Sequence, residues 1–295
     1  MKGCALLVVL LLIPLASARG EDNISDATAL IERYLAMPTF DMTTFGDQAR
    51  FLAELKTMPN GAVAAAEKVL FDRANSKQRR MIVGALGDHI HTGDCARLLI
   101  RVLQEPLKHM DEESARWEGL VRDAAVLGIR KMAARVHLSG PKREVFAPES
   151  EPQVQGLVPY LISAANDEAE SVRISALLGL ADTRDPLAQA ELKNRLKDPS
   201  PAVQFNAACL LTEFKDNSGL PELRRSVAYA LERWPKPDGI QVEMLLASLE
   251  RITGNSFGEI PNSLTGDIDF RTGQSTATLK YKELLLKWQA WFNEK

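Results

Sequence analysis

Residues 172–180 read VRISALLGL, and residues 203–211 read VQFNAACLL, 31 positions further along the chain. Residues 121–129, VRDAAVLGI, follow the same pattern. In each stretch a valine is followed four residues later by an alanine, and after four more residues by isoleucine or leucine. This spacing places three apolar side chains on one stripe of an α-helix. The stretches therefore predict equivalent helices that bury the same face, with a small alanine where a neighbouring helix approaches closely.

A short turn and a second amphipathic helix follow each of these helices. After Leu180 the chain reads ADTRDPL and then AQAELKNRLKD. Asp198-Pro199 stands five residues before Val203, just as Asp167 stands five residues before Val172. An aspartate carboxylate accepts hydrogen bonds from the free N–H groups at a helix start, and proline suits the first helical position. We therefore predict that Asp198 caps the first helix of the next pair.

This pattern resembles the HEAT-repeat family. It consists of an aspartate, a Val-Arg pair, alanine and leucine at four-residue steps, and then a turn and a leucine-rich helix. The resemblance is strongest over 167–214 and extends to 76–130, with a period close to the short bacterial form. Gln204 stands where arginine is usual, and Arg116 stands where aspartate should open the third unit. The resemblance implies an all-α fold, a right-handed α-solenoid of about six antiparallel helix pairs in an armadillo-type superhelix.

Extending the repeat frame divides residues 46–295 into the helix pairs of this solenoid. The predicted pairs span 46–73, 76–104, 112–166, 168–197, 200–233 and 237–293. Residues 19–45 form an N-terminal segment whose helix, 25–36, is expected to cap the array.

Two segments interrupt the repeat, 137–152 in the third pair and 255–276 in the sixth. The second contains Phe257, Ile260, Leu264, Ile268 and Phe270. We expect it to fold back against the last repeats, and insertions of this kind often lie on the binding face. The stretch ERITGNSFG, followed by a closing helix with Trp288 and Trp291, is similar to the ending of exported bacterial HEAT-like proteins. We expect the tryptophans to close the last apolar face, with a binding patch as the alternative.

The first 18 residues have the pattern of a cleaved export signal. Met1-Lys2 gives a positive start, an apolar run follows from Ala5 to Leu15, and Ala16-Ser17-Ala18 supplies the small residues before a cleavage site. The apolar run is too short for a spanning helix. We therefore expect a mature N-terminus near Arg19, a secreted or periplasmic location, and no membrane span in the mature chain.

Composition narrows the class of partner. The net charge is −3, and the chain has no basic stripe of the kind that binds phosphates, so nucleic acid is not expected as a partner. Aromatic residues make up only 6% of the chain, which favours close-packed helices over a sandwich of sheets.

The densest polar cluster runs from Asp88 through His89 and His91 to Cys95. It contains ligand types that zinc prefers, but the two histidines are two residues apart, which points them to different sides of a helix. Thr92-Gly93-Asp94 reads instead as a helix end followed by an aspartate cap for the next helix. Cys95 and Cys209 belong to units two and five, too far apart for a disulfide. We therefore predict free cysteines and no metal, cofactor or catalytic residue.

The family resemblance implies a non-catalytic scaffold that binds a protein or peptide of unknown identity on an extended surface. Two alternatives stay open. The first is a HEAT-like lyase or a small-molecule binder, and the second is a structural component of a cell-envelope assembly.

Overall fold

The computed structural model describes residues 24–36, 45–72, 76–105, 111–137, 156–235, 241–261, 268–269 and 274–295. The predicted export signal, 1–18, and nearly all of the first interruption lie outside these ranges. Within them the chain is built of α-helices. The helices are α1 (Ile24–Leu35), α2 (Phe45–Lys56), α3 (Pro59–Asp72), α4 (Ser76–His89), α5 (Gly93–Gln104), α6 (Glu112–His137), α7 (Val158–Ala164), α8 (Glu170–Thr183), α9 (Pro186–Arg195), α10 (Pro201–Leu211), α11 (Leu220–Glu232), α12 (Val242–Thr253) and α13 (Thr276–Glu294).

These helices follow the predicted pairing, from α2 with α3 to α12 with α13, and the all-α solenoid is confirmed. Helix α1 is the predicted N-terminal helix, and it packs against α2, α3 and α4. One feature was not predicted. Two short strands, β1 (Ile268–Asp269) and β2 (Gln274–Ser275), pair antiparallel within the second interruption, with Ile268 opposite Ser275.

The predicted stripe is the centre of the core. Its members on α6, α8 and α10 are all 0% exposed. They are Val121, Ala125, Ile129, Val172, Ala176, Leu180, Val203, Ala207 and Leu211. Because these helices bury the same positions, each unit packs on the next through a similar surface.

Helix starts differ in detail from the sequence prediction. Ser200 caps α10 by accepting the N–H of Val203, and Pro201 begins the helix. Asp198 is therefore not the cap, because its carboxylate accepts the N–H of Ser200 two residues on and shapes the turn. Thr92, rather than Asp94, caps α5 by accepting the N–H of Cys95 at 3.2 Å.

Arginines on the first helices of the pairs join consecutive units. Arg122 on α6 donates from Nε to the carboxylate of Asp167 at 2.7 Å, in the turn before α8. Arg173 on α8 donates to both carboxylate oxygens of Asp198, at 3.1 and 3.0 Å, in the turn before α10. Both aspartate side chains are 1% exposed. Gln204 takes the equivalent place on α10 and donates to the carbonyl oxygen of Asp198.

Helices α4 and α6 touch at two glycines. A Cβ added at Gly128 would lie 2.7 Å from the Cα of Gly87 and 2.6 Å from Cδ1 of Leu99. A Cβ at Gly87 would lie 2.9 Å from the Cα of Gly128. The two backbones therefore leave no room for a methyl group at this crossing.

Replacing Gly128 by alanine is expected to lower the free energy of unfolding by about 1–3 kcal/mol, because the new methyl group must displace backbone. Gly119 on the same helix is the matched control, since a Cβ there would meet only the Cβ of Ala169, at 3.6 Å. Gly119→Ala should instead raise stability by about 0.5–1 kcal/mol, as alanine is the better helix former. Urea unfolding followed by circular dichroism measures both. A Gly128→Ala variant as stable as Gly119→Ala would contradict the close crossing.

The described start of the second interruption, residues 255–261, folds back on the last helix, as predicted. Trp288 on α13 is 1% exposed. Its ring meets that of Phe257 edge to face, with centroids 4.8 Å apart. The hydroxyl of Tyr281 donates to the carbonyl oxygen of Pro261 at 2.6 Å. Residues 255–261 and α13 thus close the C-terminal face together, while Leu264 and Phe270 lie outside the described residues.

Within the described ranges, the buried apolar side chains form two clusters that meet along α10. The first runs from Ala27 to Leu211 and includes Val203 and Ala207. The second runs from Phe205 to Phe292. Helix α10 therefore contributes one side to each cluster.

Candidate functional site

A groove lies between α5 and α7, the second helices of two neighbouring pairs. Its volume is about 370 Å³. We call it the α5–α7 groove. Its walls combine apolar and polar side chains, namely Ile100, Leu103, Gln104, Glu105, Arg122, Tyr160, Ser163, Ala164, Asn166, Asp167 and Glu168.

Arg122 is held in place within the groove by fixed partners. Besides its pair with Asp167, its Nη1 donates to the carbonyl oxygen of Glu105 at 3.0 Å. The Arg122 side chain is 14% exposed, and that of Asp167 is 1% exposed. Because the guanidinium is already bound on two sides, it orders the groove and its charge is compensated.

Carboxylates dominate the accessible part of the groove. Glu105 accepts from Arg79 at 2.6 Å, and the same arginine lies 3.7 Å from Glu118. Glu168 is exposed, and its carboxylate has no ion pair with any residue that the structure describes. The groove therefore carries more negative than positive charge.

Exposed apolar side chains stand at matching positions on neighbouring second helices. Pro159 lies in the first turn of α7 and Pro186 in the first turn of α9, and an exposed apolar residue follows each. Tyr160 is 37% exposed and Leu187 is 58% exposed. Matching positions on neighbouring helices of a repeat array lie on the same side of the array, so one partner can contact both side chains.

The polar cluster around His89 is a turn, as predicted. The Nε2 atom of His91 lies 3.2 Å from the carbonyl oxygen of Gly87. Burial lowers the pKa of His89, and the charge of Lys56 lowers it further. In the part of the chain that the structure describes, no group of three or more histidine, cysteine, aspartate or glutamate side chains could hold a metal ion.

Cys95 and Cys209 are free and buried, as predicted. Burial raises the pKa of Cys95 to about 12 and that of Cys209 to about 12. A thiolate is the reactive form of cysteine, so neither side chain is poised as a nucleophile in the folded protein.

None of the described helices is long and apolar enough to cross a membrane. Sequence reasoning did not single out the α5–α7 groove. Its two sides lie on opposite sides of the first interruption, so only the fold brings Glu105 and Tyr160 together. The pattern of a proline followed by an apolar residue, in Pro159-Tyr160 and Pro186-Leu187, was the one local signal available.

Comparison with known proteins supports the repeat assignment. Residues 158–234 match the family described as HEAT repeats. No curated protein matches the chain. Among solved structures, that of human deoxyhypusine hydroxylase in complex with glycerol is similar over 90% of this chain and 97% of its own, at 15% identity and a TM-score of 0.26. Residues 158–234, which form α7 to α11, are therefore a stretch of HEAT repeats.

Proposed function

We propose that this protein is a non-catalytic scaffold that binds a protein or peptide partner along its second helices. The observation that carries the proposal is a pair of exposed apolar side chains at matching positions of neighbouring second helices, Tyr160, which lines the α5–α7 groove, and Leu187 on α9. A repeat array presents such positions as one extended surface, which suits a macromolecular partner.

Affinity capture with paired surface variants tests this proposal. The parent chain, a Tyr160→Ser/Leu187→Ser variant and a Leu279→Ser/Leu286→Ser variant are used as baits, with mass spectrometry of the captured proteins. Leu279 and Leu286 on α13 are 51% and 49% exposed, so the second variant removes comparable apolar surface elsewhere. We expect the first variant to lose a partner that the parent and the second variant retain. Retention by all three baits would refute binding along the second helices.

We also propose that the chain is exported, on the strength of the signal pattern in residues 1–18. Terminal sequencing of the protein recovered from the secreted or periplasmic fraction should give Arg19 or a neighbouring residue as the N-terminus. A recovered protein that still began with Met1 would contradict this.

One observation favours a second candidate, a small-molecule binder. The groove volume of about 370 Å³ lies within the range of pockets that hold small ligands. Native mass spectrometry of the purified chain should then show a bound mass, and a chromophore would add a visible absorption band. A structural envelope component would show neither, and would be captured with copies of an assembly rather than with a partner specific to the groove.

A further inference from the structure

The α5–α7 groove has aliphatic side chains on one wall and an aromatic ring on the other. Ile100 and Leu103 on α5 are partly buried apolar side chains. Tyr160 on α7 adds an aromatic ring that is 37% exposed. Arginine and lysine lay their methylene stems along such apolar surface while the charged end reaches polar groups, and an aromatic ring attracts a cation placed over its face.

The charges around the groove leave a negative excess. Among the residues that the structure describes, the carboxylates of Glu105, Glu118, Asp167 and Glu168 lie in or beside it, with the guanidiniums of Arg79 and Arg122. The guanidinium of Arg195 donates to Asn166 at the edge of the groove, but its charge is paired with Glu191. Arg173 also reaches this turn, where it donates to the carbonyl oxygens of Asp167 and Glu168, but its charge is paired with Asp198. A cation from outside would therefore be attracted, and an anion repelled.

We infer that the α5–α7 groove binds an arginine or lysine side chain of the protein partner, an inference that rests on the proposed scaffold function. The stem of that side chain lies against Ile100 and Leu103, and its cationic end meets the carboxylates of Glu168 and Glu105. Glu168 contributes most, because it has no ion pair with any described residue, whereas Glu105 already accepts from Arg79. Tyr160 packs on the stem and orients it.

Peptide titration of the full chain tests this inference. The probes are the blocked pentapeptide Gly-Leu-Arg-Leu-Gly and its citrulline analogue, which keeps the shape of arginine without the charge. Methyl NMR of isoleucine and leucine side chains reports where each peptide binds. We expect the arginine peptide to shift the methyl signals of Ile100 and Leu103 at millimolar concentration, and the citrulline peptide to bind about tenfold more weakly.

Substitution of Glu168 distinguishes recognition of the positive charge from non-specific apolar binding of the peptide. Glu168→Gln should weaken the arginine peptide about threefold and leave the citrulline peptide unchanged. Glu232→Gln, at an exposed glutamate that ends α11, is the control and should change neither. Equal binding of the two peptides, or no shift at Ile100 and Leu103, would overturn the inference.

The outcomes also separate this inference from the scaffold proposal. If Tyr160→Ser/Leu187→Ser abolishes partner capture while the two peptides bind equally, the scaffold proposal is supported and the inference of a bound arginine or lysine side chain is wrong. Residues 138–155, outside the described ranges, carry Lys142 and Arg143. A Lys142→Gln/Arg143→Gln variant that bound the arginine peptide much more tightly than the parent would assign the groove to the chain itself, and would overturn the inference of an external partner.

Discussion

Replacing Asp198 by alanine is expected to lower the free energy of unfolding by about 3–5 kcal/mol, as removing one partner from a buried ion pair does. The Asp198 carboxylate accepts from both Nε and Nη2 of Arg173, lies 3.5 Å from Nη1 of Arg195, and accepts the N–H of Ser200. Its loss leaves the guanidinium of Arg173 without a counter-charge, although the Arg173 side chain is only 11% exposed. Urea unfolding followed by circular dichroism measures the change.

A more exposed pair of the same two residue types, which joins α6 to α8, provides the control. The Nε atom of Arg130 lies 2.5 Å from Oδ2 of Asp182, and the two side chains are 30% and 36% exposed. Solvent screens such a pair, so Asp182→Ala should cost no more than about 1 kcal/mol. Equal effects of Asp198→Ala and Asp182→Ala would show that the buried links between units are no stronger than this more exposed one.

Replacing Trp288 by alanine should also lower the free energy of unfolding by about 3–5 kcal/mol. The indole is 1% exposed and sits between Phe257, at 4.8 Å, and Trp291, at 5.5 Å, both edge to face. Its removal leaves a large cavity where the second interruption meets α13. The same urea titration, read by the fluorescence of the remaining tryptophans, gives the change.

Leu286 on the same helix is the matched control, because it is 49% exposed. Leu286→Ala should alter stability by no more than about 0.5 kcal/mol. If Trp288→Ala lowered the free energy of unfolding by as little as Leu286→Ala, the aromatic cluster would not be what closes the C-terminal face. Residues 255–261 would then be better regarded as a binding segment than as a cap.

Periodicity made the helix pairs predictable from sequence. Val172, Ala176 and Leu180 recur at four-residue steps because each unit buries the same face against its neighbour. Proline marks helix starts such as those of α9 and α10. Burial and turn chemistry therefore repeat together, and the predicted pair boundaries fall close to the observed ones.

The features that sequence could not predict are those in which residues distant in sequence compete for the same side chain or form one surface. Asp198 is of a residue type that caps helices, but its carboxylate binds Arg173 from the preceding unit and the N–H of Ser200, and Ser200, two residues later, is the cap. The α5–α7 groove depends on two helices that the first interruption separates in sequence. An apolar residue after a proline, such as Leu187, can face either the core or water, and local sequence does not decide which.

Arg122 and Arg173 tie their units to the next by buried charge, whereas Gln204, at the equivalent place on α10, is neutral. The same helix is where one apolar cluster gives way to the other. In a repeat array the total stability is a sum over units and their interfaces, so a weaker interface divides the cooperative unit. The unit beyond the one that carries Gln204 is α12 with α13, so we expect these two helices to open as a block while α4 to α11 stay folded. In heavy water the amide protons of that block would exchange together, ahead of those in the rest of the array.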